Sequence, residues 1–557
     1  MNQLRLRFWP GMRLTWVDGC AVVHTGNAPS AGAMAVVASS AATHESSVVV
    51  GSHTVRMLPA MIDELADELS RALPRGCARV RMVAWDSGCV IEERPPAAHV
   101  LAMRLGLEVL APAGPLLGVP GGSLFAPFGR GAQRPGGWWR FGPGTVPTRV
   151  GWRFPAPVWE ADLGDDAELS DDLVLDQVPA GVWLHRPGHR SATDLVYSVP
   201  IDPVSPALVL SHPNEAPLRA EELAHAINGL PRRAAERVVL TPYGKEPVVN
   251  GRLGEVGATV LGHTVRVRTG LPLCAPAGGR AVVSIDGNGV PRWRPFAREL
   301  QYAPRRAAPG VVDWANPAPG FLGAQCAPAT YDLSSGWVVE VIEPGLWIRP
   351  AHLSEPAEWI RALPLDVGRC VVVIGAPHSM EPLPSSQSIA ALLEHLPGDA
   401  RTRVRLIVPR GTPADVLHLA SGLRALLPGV SDVLVLGHDE PSTVTTGSIP
   451  VISGFAEPPA STTQTNPHGF APVTPGGPMP SPAAPAPAPS GREVRSHRTA
   501  EDKPAKKMPE ADRHDTKELQ RLLGFFDEIR RAKAWDEDPE WQAEEPDSHQ
   551  QPATRYH

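Results

Sequence analysis

The sequence repeats one pattern three times, at intervals of roughly 160 residues, and any fold must accommodate that repetition. Each copy has a short β-branched run, an amphipathic stretch that ends at Leu-Pro, and a second β-branched run. The paired runs begin at Val48 and Val80, at Leu208 and Arg237, and at Val371 and Val404, with helical stretches at 57–73, 219–230 and 386–396 between them. Runs that are apolar on both faces are typical of buried strands joined by a helical crossover. The pattern predicts an α/β fold with mostly parallel sheets.

The chain of 557 residues is too long for a single hydrophobic core, so several domains are expected. The predicted units are degenerate repeats at 1–145, 146–308 and 309–455, the last of which is shorter. A stretch rich in Pro, Ala and Ser follows at 456–514, and we expect it to be a disordered linker because it buries too little apolar surface. An amphipathic helix at 515–535 and an acidic disordered end at 536–557 complete the chain.

Charge and cysteine usage argue against several classes of function. The net charge is −7, whereas nucleic-acid-binding proteins typically have an excess of basic residues. The six cysteines contain no Cys-x-x-Cys pair, so neither a zinc site nor a disulfide framework is predicted, and no motif indicates a cofactor. The sequence has no evident secretory signal peptide and no apolar stretch long enough for a membrane span. We therefore expect a cytoplasmic protein, with export that needs no N-terminal signal left open.

The parts that follow the helical stretches resemble a known family. The matching segments are 81–88, 98–106 and 109–112 in the first copy, and 237–244 and 284–289 in the second. They resemble the caspase-like (CHAT-type, "lonely Cys") domains of large actinobacterial proteins. The resemblance implies tandem three-layer caspase-like domains. In an active member, a His after the first strand and a Cys after the second would form a dyad in which the thiolate is the nucleophile.

No copy keeps that dyad. The histidines are His53, His212 and His378, the last of which lies a few residues late. The residues at the cysteine position are Trp85, Thr241 and Pro409. Trp and Pro cannot act as nucleophiles, and a threonine followed by proline is a poor one. The sequence therefore predicts a pseudoenzyme without catalytic or metal-binding residues.

One cysteine supports an alternative hypothesis. Cys89 lies four residues past the expected site in the first copy, and it would have to act with His53. A peptidase or related hydrolase that uses this displaced thiol is the enzyme alternative. Four residues exceed ordinary register slippage along a strand, so we favour the interpretation of Cys89 as a buried thiol.

Tryptophan is unusually frequent, with 15 residues against 5 tyrosines, and it recurs in Gly-x-Trp and Trp-x-Phe settings. Such residues could stack on sugars or bases. We favour a structural role, in which an aromatic plug recurs because the unit recurs.

The predicted C-terminal helix carries its apolar residues on one face: Leu519, Leu522, Leu523, Phe526 and Ile529. An isolated helix of this length is marginal in water, so that face needs a surface, either on the repeats or on a partner protein. We therefore expect a non-catalytic scaffold or effector component whose tail helix docks a partner. A third hypothesis is the carrier part of a secreted bacterial conflict system.

Overall fold

The computed structural model describes residues 3–435, apart from gaps at 6–10, 25–27, 30–32, 35–36, 38–45, 51–58, 92–93, 121, 128–134, 165–166, 171, 188–193, 245–251, 275–279, 307, 335, 354–356, 377–380, 410–412 and 427–431. His53, His378 and the predicted tail helix lie outside the described residues. The fold is α/β, with three large mixed sheets that follow one another along the chain.

The first sheet has eight strands in the order β1-β2-β3-β4-β5-β6-β9-β10. Its strands are β1 (Gln3–Arg5), β2 (Arg13–Val17), β3 (Cys20–His24), β4 (Ser46–Val50), β5 (Arg79–Val83), β6 (Glu108–Pro112), β9 (Trp138–Phe141) and β10 (Thr148–Gly151). Helix α1 (Pro59–Ala72) connects β4 to β5, and α2 (Ala97–Leu105) connects β5 to β6. A small sheet is formed by β7 (Leu117–Val119), β8 (Ser123–Phe125) and β11 (Arg153–Phe154).

The second sheet repeats this arrangement in the order β12-β13-β14-β15-β16-β17-β20-β21. Its strands are β12 (Ala167–Ser170), β13 (Leu173–Val178), β14 (Gly181–His185), β15 (Ala207–Leu210), β16 (Val239–Pro242), β17 (Val265–Arg268), β20 (Ala297–Tyr302) and β21 (Gly310–Trp314). A separate hairpin pairs β18 (Leu271–Cys274) with β19 (Arg280–Val283). The helices are α3 (Ala220–Gly229), α4 (Arg232–Arg237) and α5 (Leu253–Leu261), with short 3-10 turns at Glu160–Asp162 and Leu195–Ser198.

The third sheet has seven strands in chain order. They are β22 (Gln325–Ala327), β23 (Thr330–Ser334), β24 (Trp337–Ile342), β25 (Gly345–Pro350), β26 (Cys370–Ile374), β27 (Val404–Val408) and β28 (Asp432–Val435). The helices are α6 (Glu358–Arg361), α7 (Ser386–Glu394), α8 (Gly398–Arg401) and α9 (Pro413–Leu426).

The prediction of mostly parallel sheets is wrong. Parallel pairing joins only four adjacent strands in each sheet, β3–β6, β14–β17 and β25–β28, while the other described pairs are antiparallel. Antiparallel neighbours arise because a tight turn joins successive strands, as where Val178 pairs with Gly181. The parallel centre needs crossover connections, and the repeated pattern marked one of them in each repeat: the helix between β4 and β5, between β15 and β16, and between β26 and β27.

Local chemistry explains where the crossover helices begin and end. The side chain of Ser385 accepts a hydrogen bond from the amide of Ser388 and caps α7. Pro231 and Pro397, which follow the predicted helices, each stand at the N-cap of a second short helix. Gly106 ends α2 and Gly262 ends α5 with φ of 66° and 67°, the left-handed conformation that glycine adopts without a steric penalty.

Both faces of the first sheet are covered. On one face, Val48 and Met82 pack with Leu65 and Leu101 from the crossover helices. On the other face, Val49 and Val83 belong to a second cluster that includes residues of β8 and β9. Alternate residues of the same strands therefore enter different cores, which explains why the runs are apolar on both faces.

A buried arginine connects the first sheet to the second. Arg153, on β11, has no exposed side-chain surface and forms an ion pair with Glu160 over 2.7 Å. The same guanidinium donates to the side-chain oxygen of Gln177 over 2.9 Å, and to the backbone oxygens of Val178, Pro179 and Gly181 over 2.5–2.7 Å. One side chain thus satisfies the carbonyls of the turn between β13 and β14.

Several side chains connect the second sheet to the third. Arg294 binds Asp399 through its backbone amide and its guanidinium over 2.9–3.1 Å. Arg252 forms an ion pair with Glu343, which also accepts a hydrogen bond from the hydroxyl of Tyr302 over 3.1 Å. The contacts of Glu343 hold the turn between β24 and β25 against the second repeat, and the contact of Asp399 holds α8 against it.

Candidate functional site at the carboxyl ends of the second repeat's parallel strands

The tight turns that precede β3, β14 and β25 place the three repeats in one register. Those strands begin at Cys20, Gly181 and Gly345, each paired across the turn with the last residue of the preceding strand. Counting from these residues, equivalent positions on three successive parallel strands are Val22, Val49 and Val83 in the first repeat, Trp183, Val209 and Thr241 in the second, and Trp347, Val373 and Ile407 in the third.

Thr241, which sequence spacing matches to Trp85 and Pro409, is not their counterpart in this register. Trp85 and Pro409 lie two residues beyond their register positions, so their counterpart is Tyr243 and not Thr241. Thr241 lies inside β16, fully buried, and its hydroxyl donates to the carbonyl of Val239 over 3.2 Å. Spacing along the sequence does not show this two-residue offset between Thr241 and Tyr243, because hydrogen bonds between strands set the register.

The three histidines also differ in how far they follow these register positions along the sequence. His212 follows Val209 by three residues, whereas His53 follows Val49 by four and His378 follows Val373 by five. Of these three, only His212 belongs to the described residues. The second repeat therefore carries the candidate site whose geometry the structure gives.

Tyr243 and His212 face one another at the carboxyl ends of β16 and β15. Their rings meet edge-to-face with centroids 5.7 Å apart, and Tyr243 is 3% exposed. Burial, and then the negative charge of Asp194, raise the pKa of the Tyr243 hydroxyl well above its ordinary value. The phenol therefore stays neutral and is not an activated nucleophile.

Both ring nitrogens of His212 have partners. The amide of Asn214 donates to Nδ1 over 3.3 Å, so Nδ1 is the unprotonated nitrogen in that contact. Nε2 lies 3.3 Å from Oδ1 of Asp194 and donates to it. A general base needs a lone pair directed at the proton that it removes, whereas the lone pair on Nδ1 of His212 is directed at the backbone amide of Asn214.

Trp183 forms the floor of the site. Its indole stacks on the ring of His185 with centroids 3.8 Å apart, and it contacts the rings of His212 and Tyr243 at 6.1 and 6.3 Å. The indole N–H donates to the carbonyl of Ser211 over 2.8 Å. The third repeat has the same bond, from Trp347 to the carbonyl of Gly375, also over 2.8 Å.

Ser211 has two unusual properties. Its φ of 64° lies in the left-handed region that non-glycine residues rarely adopt, whereas the third repeat has a glycine there. Its hydroxyl is buried and has no hydrogen-bond partner within the described part of the chain. A strained residue with an unsatisfied buried hydroxyl is typical of a functional position.

A polar pair that the sequence motifs did not reveal occurs at one register in all three repeats. Thr15 Oγ1 lies 2.8 Å from His24 Nε2, Asp176 Oδ2 lies 2.9 Å from His185 Nε2, and Glu340 Oε2 accepts from Arg349 Nε over 2.7 Å. The only signal in the sequence was the shared Gly-x-Trp-x-(His/Arg) pattern around Trp183 and Trp347. The members of each pair are diagonal neighbours across an antiparallel ladder, two residues from direct opposition, and spacing along the chain does not reveal this.

The thiol alternative receives no geometric support from the described residues. Cys89 is 3% exposed, and its sulfur donates to the carboxylate of Asp86 over 3.9 Å. A neighbouring acid does not favour the thiolate, which is the nucleophilic form. His53, the proposed base, lies outside the described residues. Burial also raises the pKa of the Cys370 thiol far above its usual range.

Of the twelve tryptophans that the structure describes, half are buried and half are partly exposed. The buried six are Trp138, Trp152, Trp159, Trp183, Trp293 and Trp347. In the described ranges, no cluster of three metal-ligating side chains occurs. Within the same ranges, no helix combines the length and the apolar character that crossing a membrane requires.

Comparisons with known proteins give no relative. No protein-family model, curated protein or solved structure matches this chain.

Proposed function

We propose that this protein is a non-catalytic scaffold or effector component built from caspase-like pseudo-domains, with a C-terminal helix that docks a partner protein. The observation that carries the proposal is the environment of Tyr243. A neutral, buried phenol lies against His212 at the position where an active member of the resembled family would need a thiolate.

The other repeats support the same proposal. The residues that share this register are Trp85 and Pro409, neither of which has a nucleophilic atom. The hydrogen bonds that join His212 to Asn214 and to Asp194 hold the imidazole ring in one orientation. In that orientation its ring nitrogens are already occupied and do not face a substrate proton. In this proposal the carboxyl ends of the parallel strands, where an active member would carry its catalytic residues, form a rigid surface.

A hydrolysis assay tests the absence of catalysis. The full chain, His212→Ala and Cys89→Ser are incubated with a fluorogenic peptide library, and all three are expected to match the buffer blank. Hydrolysis by the wild type that disappears in Cys89→Ser would establish the peptidase alternative. Hydrolysis lost only in His212→Ala would instead make the second repeat an enzyme.

A second experiment tests recruitment by the tail. Leu522→Asp with Phe526→Asp changes the predicted apolar face, and Arg521→Asp with Arg530→Asp changes the polar face of the same helix. A protein that copurifies with the wild type should be lost with the first double variant and retained with the second. If both variants retain the same proteins as the wild type, the tail helix does not recruit them.

A further inference from the structure

A cavity of about 330 Å³ lies between the second and third sheets. One wall includes Arg306 and Gly310, next to β20 and β21, and the other includes Thr330 on β23, Arg349 on β25 and Arg361 on α6. Small-molecule sites commonly have volumes of about 300–1,000 Å³ and often lie at such boundaries. The cavity is therefore large enough for a small metabolite.

Its charged groups are only partly neutralised. Glu340 accepts hydrogen bonds from Arg361 over 2.5 and 3.0 Å and from Arg349 over 2.7 Å. Glu343, the second acid in the wall, is bound by Arg252, which lies outside the lining, and by Tyr302. Three arginines thus line the cavity, and Glu340 is the acid that is shared between two of them.

Unused donors remain on each of these arginines. Nη2 of Arg349 and Nη1 of Arg361 have no acceptor among the described residues, and neither is sealed from solvent. Arg306 is exposed, its Nη1 lies beside Gly310, and it forms no ion pair with any residue that the structure describes. The cavity therefore has an excess of positive charge and free N–H groups from both repeats.

We propose that this cavity binds a small organic oxyanion, a carboxylate or a phosphate, between Arg306 of the second repeat and Arg349 and Arg361 of the third. The guanidinium group is planar and presents paired N–H donors that match two oxygens of such an anion. The guanidinium carbons of Arg349 and Arg361 lie over the Trp347 ring, 5.4 and 5.3 Å from its centroid, and this contact holds both groups beside the cavity. A bound anion would connect the second repeat to the third.

Isothermal titration calorimetry of the full chain tests this site. Inorganic phosphate and succinate are titrated separately at constant ionic strength, with sodium chloride as the reference. We expect saturable binding of one anion per chain for at least one probe, and the probe that saturates identifies the phosphate or the carboxylate class. The absence of saturable binding for both probes would overturn the proposal.

Two matched variants test the location. Arg306→Gln should weaken binding about tenfold or more, because a charge-assisted hydrogen bond is lost. Arg305→Gln removes the same charge one residue away, outside the lining, and should leave the affinity unchanged. Equal weakening by both variants would show general surface attraction instead of a site. Both side chains are exposed, so unchanged urea unfolding curves will confirm that both variants fold.

Discussion

Tyr243 lies edge-on to His212, with 5.7 Å between their ring centroids, at the ends of two adjacent parallel strands. In an α/β sheet this edge is where ligands and catalytic groups usually gather. Here the indole of Trp183 packs against both rings of the pair. The site is therefore filled with packed aromatic groups, and its polar atoms mostly bind one another.

The indole N–H of Trp183 should contribute to stability. Trp183→Phe would leave the buried carbonyl of Ser211 without its donor, and we expect a loss of roughly 1–3 kcal/mol in the free energy of unfolding. Urea denaturation measures the loss. Trp337→Phe is the control, because the described residues provide no acceptor for that half-buried indole. Equal losses in the two variants would mean that ring size, and not the hydrogen bond, stabilises the site.

Arg153 should be among the most sensitive positions. Arg153→Met leaves the buried Glu160 carboxylate and the turn carbonyls without a donor, and we expect destabilisation of about 3–5 kcal/mol. Arg237→Met removes a half-exposed ion pair with Asp162 and should cost less than about 1 kcal/mol. Chemical denaturation of both variants tests the contrast. Similar midpoints would contradict the role assigned to the buried guanidinium.

Two neighbouring glutamates should affect stability in opposite directions as pH changes. Burial alone would raise the pKa of Glu340, but the hydrogen bonds and charges of Arg361 and Arg349 outweigh it, so the pKa lies below the ordinary 4.5. Its stabilising contribution is thus complete above the unfolded pKa and is lost as pH falls through the folded one. For Glu343, burial outweighs Arg252 and raises the pKa, so its contribution is present at low pH and is lost as pH rises.

Unfolding free energies measured between pH 3 and pH 7 (roughly the range in which carboxylates titrate) test this contrast. The stability advantage of the wild type over Glu340→Gln should increase with pH, and its advantage over Glu343→Gln should decrease. Slopes of the same sign for the two variants would show that the assignment of opposite pKa shifts is wrong.

Thiol reactivity should follow exposure. Cys326 is exposed, whereas Cys20, Cys89 and Cys370 are buried, so iodoacetamide should label Cys326 first in the folded protein. Cys326→Ser should remove the fast phase, and Cys370→Ser should leave it unchanged. Mass spectrometry of the labelled peptides identifies the site. Fast labelling of Cys89 would instead favour the displaced-thiol hydrolase.

The sequence determined the parts of the fold that depend on local patterns. The helices predicted at 57–73, 219–230 and 386–396 are present as Pro59–Ala72, Ala220–Gly229 and Ser386–Glu394, between the predicted strands. Helical periodicity and β-branched runs are properties of neighbouring residues, so they can be recognised without knowledge of the rest of the chain.

Which residues share a position in the site depends on the tertiary structure. Tyr243, and not Thr241, follows the shared register because hydrogen bonds between strands align the repeats. Asp194 reaches His212 from a separate loop, and Arg153 reaches from β11 to the turn between β13 and β14. Contacts between residues that are distant in the chain depend on how strands and loops pack, and that information is not contained in local spacing.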